Sequence, residues 1–351
     1  MTRAAPVKIA VMGAGLIGKR HAEHVVATSE AELFGVIDPM PAGETVAASL
    51  GAPWFKSFDA MLAHGRPDAI IVATPNQMHV AHGLACIEAG LPVLIEKPLA
   101  DDLAGAERLV AAAQARGVPL LTGHHRRHNP LMRQAKAWLD EGRLGQLLAV
   151  HGFCWFFKPD DYFDVGWRRL KGAGPVMLNL IHDVDCLRML CGEVASVQAL
   201  ESNAVRGFEV EETSALLLKF RNGVLGTITV SDSVAAPWSW ELTSGENPAY
   251  PHMHEPCYML GGTRGALSLP DMRLISHGGA PGWMQPMQVE FAKTQPADPL
   301  RRQIEQFCRV VTSGEAPWVS GRDGLETLRV ILAAKEAAAT GKSVMVASPG
   351  A

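Results

Sequence analysis

Val7-Lys8-Ile9-Ala10-Val11-Met12-Gly13-Ala14-Gly15-Leu16-Ile17-Gly18 decides the fold of this chain. A short run rich in Val, Ile and Ala reads as a buried strand, and it ends in Gly13-x-Gly15-x-x-Gly18. Residues 17–28 follow with helical composition. Strand, glycine turn and helix in that order suit the pyrophosphate of a dinucleotide. Gly13 allows the tight turn, Gly15 the close backbone approach, and Gly18 close packing of helix on strand. The N–H groups of Leu16, Ile17 and Gly18 open the helix without intrahelical partners and face the phosphates. A second apolar run, Ala31 to Ile37, ends in Asp38, twenty residues after Gly18, where an acid binds the adenosine ribose hydroxyls. That carboxylate repels a 2′-phosphate, and Pro39-Met40-Pro41 offers no Arg or Lys to bind one. The expected cofactor is therefore NAD, with NADP the alternative if Arg20 or another side chain compensates.

The pattern continues outward from this turn. Runs at 7–12, 32–37, 69–73, 92–95 and 118–121 read as strands, and 17–28, 41–50, 57–64, 78–90 and 102–116 as helices. Such alternation implies a doubly wound parallel sheet, whose ligands bind beyond the carboxyl ends of its strands. Three polar segments fall at those ends. In Thr74-Pro75-Asn76-Gln77-Met78-His79, Pro75 starts a rigid turn, and Thr74 or Asn76 is placed to cap the next helix. In Glu96-Lys97-Pro98, an ammonium at a strand end is placed to steady a developing alkoxide, and Pro98 admits a cis bond. In Gly123-His124-His125-Arg126-Arg127-His128-Asn129-Pro130, the histidines and arginines suggest an anion site or a domain crossover. No carboxylate is interleaved there at ligand spacing, so no metal is expected.

The glycine turn, Ala-Thr-Pro-Asn-x-x-His, Glu-Lys-Pro and Gly-x-x-x-Arg-x-Asn-Pro, in this order, resemble the glucose–fructose oxidoreductase / inositol dehydrogenase / MocA family. The resemblance implies an α/β Rossmann domain followed by an α+β domain with an open, mostly antiparallel sheet. It implies hydride transfer between NAD or NADP and a hydroxyl-bearing carbon, usually of a sugar or cyclitol ring. It also sets Thr74, Pro75, Asn76, His79, Glu96 and Lys97 beside the cofactor.

The second half agrees with that expectation. Residues 131–142 read as a helix, and 146–157, 194–201, 212–220, 224–232 and 257–269 as strands. Asn222-Gly223 between two of these runs is a hairpin signal. The α/β alternation stops before residue 123, so the expected domains are 1–122 and 123–351, the second binding substrate and forming the oligomer. Residues 172–190 have helical spacing and place Asn179, His182 and Cys186 or Asp185 on related faces. In the family such a helix carries a histidine that moves the substrate proton, and His182 matches it. The family's Asp four residues earlier is Leu178 here, and only Asn179 stands nearby. Asn is no base, but it can orient the histidine or bind a hydroxyl. Trp167-Arg168 resemble a family pair near nicotinamide and substrate. The expected substrate-binding residues are thus His125, Arg127, Trp167, Arg168, Asn179 and His182, and the expected catalytic ones Lys97, His182 and Asn179. Residues 299–313 and 324–340 read as closing helices, and 237–256 as a loop.

Composition excludes other classes. At 351 residues the chain fits two domains, and a net charge of −4 argues against nucleic acid. No apolar run reaches the length of a membrane span, and no secretory segment precedes the first strand. Six scattered cysteines fit a reduced, cytoplasmic protein. The open sheet needs covering, which predicts a homodimer or homotetramer. The alternatives are a dehydrogenase of an aromatic cis-dihydrodiol or carboxylated semialdehyde, and a non-catalytic NAD(P)-binding sensor or subunit.

Overall fold

The computed structural model describes residues 5–295 and 297–347. Two compact units emerge, one running to His128 and including Pro299–Leu328, the other Asn129–Asp298 with Arg329 onward. The expected division at 122/123 is corrected on both counts. The first unit continues through the His/Arg segment, and it regains a later piece of chain. The cause of the return is the apolar stripe of helix α9 (Pro299–Ser313): Ile304, Phe307, Cys308 and Val310 complete the core formed by Val7, Ile9, Val11 and Leu121.

In the first unit the chain runs β1 (Val7–Met12), α1 (Leu16–Ala27), β2 (Ala31–Ile37), α2 (Pro41–Ser49), β3 (Trp54–Phe55), α3 (Phe58–His64), β4 (Ala69–Val72), α4 (His79–Glu88), β5 (Val93–Ile95), α5 (Leu103–Arg116) and β6 (Leu120–Thr122). The strands pair in parallel in the order β3-β2-β1-β4-β5-β6. β4 and β5 are buried at every residue, as strands covered on both faces must be. Helix starts follow local chemistry: Ser57 Oγ accepts from Ala60 N–H at 3.2 Å, and Asp102 Oδ1 from Gly105 N–H at 2.6 Å. Each such cap is worth about 1 kcal/mol. Gly117, at φ 62°, ends α5 in the left-handed region. The sheet order reverses between β1 and β4, and the glycine turn sits at that point.

The second unit comprises α6 (Pro130–Asp140), β7 (Leu147–Trp155), α7 (Ile181–Cys191), β8 (Val194–Ser202), β9 (Thr213–Phe220), β10 (Leu225–Ser231), α8 (Trp240–Thr243), β11 (Tyr258–Gly262), β12 (Gly265–Leu269), β13 (Arg273–His277) and β14 (Met287–Phe291). Helix α10 (Gly321–Thr340) follows α9, and β15 (Val344–Met345) closes the chain. The nine-stranded order is β14-β13-β12-β11-β7-β10-β9-β8-β15, antiparallel except for β7–β10. β9 alternates cleanly: Ser214, Leu216, Leu218 and Phe220 are buried, while Ala215, Leu217 and Lys219 are exposed. The covered face packs on α6, α7 and the later part of α10 through Leu131, Trp138, Leu187, Ile331 and Ala334. The single expected strand at 257–269 is two, β11 and β12. The expected helix over 172–190 is a π-helical turn, Val176–Leu180, running into α7. Among the described residues no helix is long and apolar enough to cross a membrane.

Candidate cofactor and catalytic site

The glycine turn distributes three different constraints. Gly13 has φ +97°, and a Cβ there would lie 2.5 Å from the Ala73 carbonyl oxygen. A Cβ on Gly18 would lie 2.0 Å from the Gly13 carbonyl oxygen. On Gly15, by contrast, it would meet nothing within 4 Å. The fold therefore requires Gly13 and Gly18, and leaves space over Gly15. No side chain caps the start of α1, so the N–H groups of Leu16, Ile17 and Gly18 open onto that space. Asp38, at the end of β2, accepts from Ala14 N–H at 2.7 Å on one oxygen and from Met40 N–H at 2.8 Å on the other. Its carboxylate is thereby fixed beside the turn. An uncapped helix start, room above the backbone and a placed acid together fit a dinucleotide.

At the end of β4, neither Thr74 nor Asn76 caps the following helix, contrary to expectation. Thr74 Oγ1 lies 3.1 Å from His82 Nδ1 instead. Burial, and then the nearby His79, lower the His82 pKa. Pro75 and Asn76 lie partly open in the 3₁₀ turn at this strand end. His79 is not turned toward a cofactor. Its ring is fully buried, with Nδ1 2.8 Å from the Pro98 carbonyl and Nε2 2.8 Å from the Thr74 carbonyl.

At the end of β5, Lys97 is half-buried between buried neighbours, and the Lys97–Pro98 bond is cis. Glu96 is also corrected from the expected cofactor ligand. Its side chain points inward, with Oε1 2.7 Å from His21 Nε2 and Oε2 accepting from Lys97 N–H at 3.1 Å. Burial would raise this carboxyl's pKa. The hydrogen bond from His21 and the positive charges of His21, His125 and Lys97 overcome burial and bring it to about 2. Gly123 makes the room, since a Cβ there would lie 2.8 Å from Glu96 Oε1. His21 itself escaped the sequence reading. Its signal was a polar residue on the buried stripe Gly18, His21, Ala22, Val25 of α1.

The His/Arg segment is less of an anion site than its charges suggest. Arg127 is buried and donates to Asp323 Oδ1 at 3.0 Å, so it serves the fold rather than a substrate. His128 stacks on Trp318 with ring centroids 5.3 Å apart. His125 is half-buried near enough to Glu96 to influence its charge.

In the second unit, Asn179 stands in the π-helical turn and His182 in the first turn of α7. Such turns recur at functional positions. Asn179 Oδ1 is buried without a hydrogen-bond partner, and His182 is buried. Gly174 and Glu211 hold the entry to this turn. A Cβ on Gly174 would overlap the Glu211 carboxylate, which accepts from Val176 N–H at 3.2 Å and pairs with Lys335 at 2.7 Å. Asp183 accepts from the buried Tyr258 hydroxyl, and Asp185 lies 3.8 Å from Arg188, so both acids have structural partners. Trp167 is 53% exposed in a 3₁₀ turn. The Arg168 guanidinium lies 4.0 Å over the Tyr162 ring and donates to the Tyr162 carbonyl at 2.7 Å. The expected carboxylate clamp is thus partly committed to its own loop. Among the described residues no group of three or more His, Cys, Asp or Glu side chains is placed to hold a metal ion.

Comparison with known proteins gives a consistent picture. A family model described as an oxidoreductase family with NAD-binding Rossmann fold matches residues 7–124, and the GFO/IDH/MocA C-terminal domain model matches 132–268. The chain is 30% identical over 286 residues to the 1,5-anhydro-D-fructose reductase of Ensifer adhaerens, covering 80% of each. It is 26% identical to an inositol 2-dehydrogenase of Rhizobium meliloti, covering 97% of this chain and 99% of that one. A crystal structure of the WlbA dehydrogenase from Bordetella pertussis, in complex with NADH and UDP-GlcNAcA, has a TM-score of 0.79 at 26% identity, covering 98% of this chain and 100% of that one.

Proposed function

We infer the reaction from a premise: the chain belongs to the GFO/IDH/MocA oxidoreductase family, whose N-terminal domain is an NAD-binding Rossmann fold. We propose that it oxidises or reduces a hydroxyl-bearing carbon of a sugar- or cyclitol-like ring, with NAD preferred. The observation that carries this reading is the Glu96-Lys97-Pro98 segment at the end of β5, in the same unit as the open glycine turn and Asp38. When bound, NAD takes or returns the hydride at nicotinamide C4. In the oxidation direction, His182 takes the hydroxyl proton and Lys97 steadies the oxygen as it gains charge. Asn179, with its unpartnered Oδ1, binds a ring hydroxyl or orients His182. His125 is retained as a substrate contact, and Trp167 with the outer edge of Arg168 as a secondary one.

The names of the relatives support a ring substrate, since they include an anhydrofructose reductase and an inositol dehydrogenase. Asp38 supports NAD over NADP, because a carboxylate at the end of the second strand would repel a 2′-phosphate. The six free, buried cysteines support a reducing cytoplasm. The exposed side of the nine-stranded sheet supports a homodimer or homotetramer. Its groove of about 640 Å³ is lined by His151, Leu217, Leu225, Thr227 and Met259.

The test is titration with NADH and NADPH, followed by absorbance assays on ring polyols including myo-inositol and on 1,5-anhydro-D-fructose. Tighter NADH binding with turnover on one of these is expected, with turnover strongly lowered but still measurable in Lys97→Ala and His182→Asn. Binding without turnover on the whole panel would overturn the substrate class. A folded Lys97→Ala enzyme with full turnover would overturn the catalytic assignment.

A further inference from the structure

The segment that carries Lys97 is fastened on both flanks by buried histidines from two different helices. Before Lys97, the Glu96 carboxylate binds His21 of α1 and the Lys97 N–H. After it, the Pro98 carbonyl lies 2.8 Å from His79 Nδ1, on the first residue of α4. The other nitrogen of the same ring lies 2.8 Å from the Thr74 carbonyl, at the end of β4. Carbonyl oxygens only accept, so a doubly protonated His79 donates to both and a neutral ring to only one. The ring has no exposure to solvent, and hydride transfer gives it no role.

We propose that His79 is a positioning residue for Lys97, a reading that rests on the catalytic role of Lys97. The chain bends at Lys97 and Pro98. A bond to the Pro98 carbonyl fixes the far side of that bend, while Glu96 fixes the near side. The lysine stem then starts from one defined place and direction. A misplacement of about 1 Å in such a group can cost on the order of 100-fold in rate. Because the same ring also holds the Thr74 carbonyl, the ends of β4 and β5 move as one piece.

The experiment combines a spectroscopic and a kinetic reading. Lysines are reductively methylated with ¹³C-formaldehyde, and the Lys97 signal is assigned by its loss in Lys97→Arg. His79→Leu is expected to move the Lys97 signal while leaving the other lysine signals and the NADH dissociation constant in place. On the ring polyol that turns over in the panel, His79→Leu should lower kcat about 30- to 100-fold. His79→Gln, which donates to one carbonyl, should fall between. In the Lys97→Ala background the same change should cost nothing further, because the two residues act as a unit. An unmoved Lys97 signal, or losses that multiply in the double variant, would overturn the proposal. If His79→Leu does not fold, His79→Gln with Lys97→Ala closes the same cycle. Full turnover by Lys97→Ala alone would instead fell the catalytic reading first, a distinguishable result.

Discussion

The carboxylate of Glu96 is held ionised against a burial that raises its pKa. Against burial, which raises it, His21 and the other positive neighbours bring its pKa from an ordinary 4.5 to about 2 by favouring the charged form. The folded value lies below the unfolded one, so the stabilisation is complete above pH 4.5 and is lost as pH falls toward 2. A shift of this size corresponds to on the order of 3 kcal/mol. Glu96→Gln is therefore expected to lower stability at pH 7 by roughly 1–3 kcal/mol and to flatten the acid limb of stability against pH. Urea unfolding of both proteins between pH 7 and pH 3 measures this, and parallel limbs would refute it. Asp38 gives a second prediction at this scale. Asp38→Ser removes one charge from the ribose site, and should shift the NADPH-to-NADH affinity ratio by about tenfold toward NADPH, or roughly 1.4 kcal/mol. Competitive titration of the two cofactors reads the ratio. The place of Asp38 beside the glycine turn was legible in the sequence, because it follows from the spacing between the two along the chain. The fates of Glu96 and Arg127 were not, because their partners are 75 and 196 residues away in the chain. A charge beside a motif reads as a ligand until the fold supplies a counter-charge.

At the scale of elements, the glycine turn separates what the fold needs from what the cofactor needs. Gly15→Ala meets no protein atom within 4 Å, so the variant should fold with an unchanged melting temperature. Its methyl group would occupy the space above the backbone, and NADH affinity should fall at least about tenfold, the cost of roughly 1.4 kcal/mol. Gly18→Ala drives a Cβ into the Gly13 carbonyl and should lose stability and binding together. Thermal melts beside fluorescence titrations separate the two, and equal damage in both variants would refute the distinction. The strands of the first unit were legible because full burial writes continuous apolar runs. β3 and β15 were not, since two residues carry no period. β13 and β14 lie in a stretch to which the sequence reading assigned nothing. The π-helical turn before α7 was also invisible, because it changes hydrogen bonding without changing which residues are apolar.

At the scale of the whole molecule, the nine-stranded sheet is the feature that asks for a partner. One of its faces is buried against helices, and the other presents Leu217 at 54% and Leu225 at 60% exposure beside Met259. Around the same groove, His151, Phe153 and Trp155 follow one another with ring centroids 4.5 and 5.0 Å apart. Trp155 donates to Thr229 Oγ1 across the ladder at 2.9 Å, so these rings stand ordered without a partner's help. An ordered, largely apolar surface of this kind costs free energy in water, and a second copy of the same face would remove it. Two-fold pairing of a sheet face needs the same patch on both chains, which a homodimer supplies by symmetry. Sedimentation at micromolar concentration is therefore expected to give at least twice the 37.6 kDa chain mass. Leu217→Asp with Leu225→Asp would set four carboxylates into the paired face and should return the protein to a monomer that still binds NADH. A wild-type monomer would refute the pairing and leave the cofactor assignments untouched. A double variant that stays associated would move the interface off this face, toward the exposed edge strand β14.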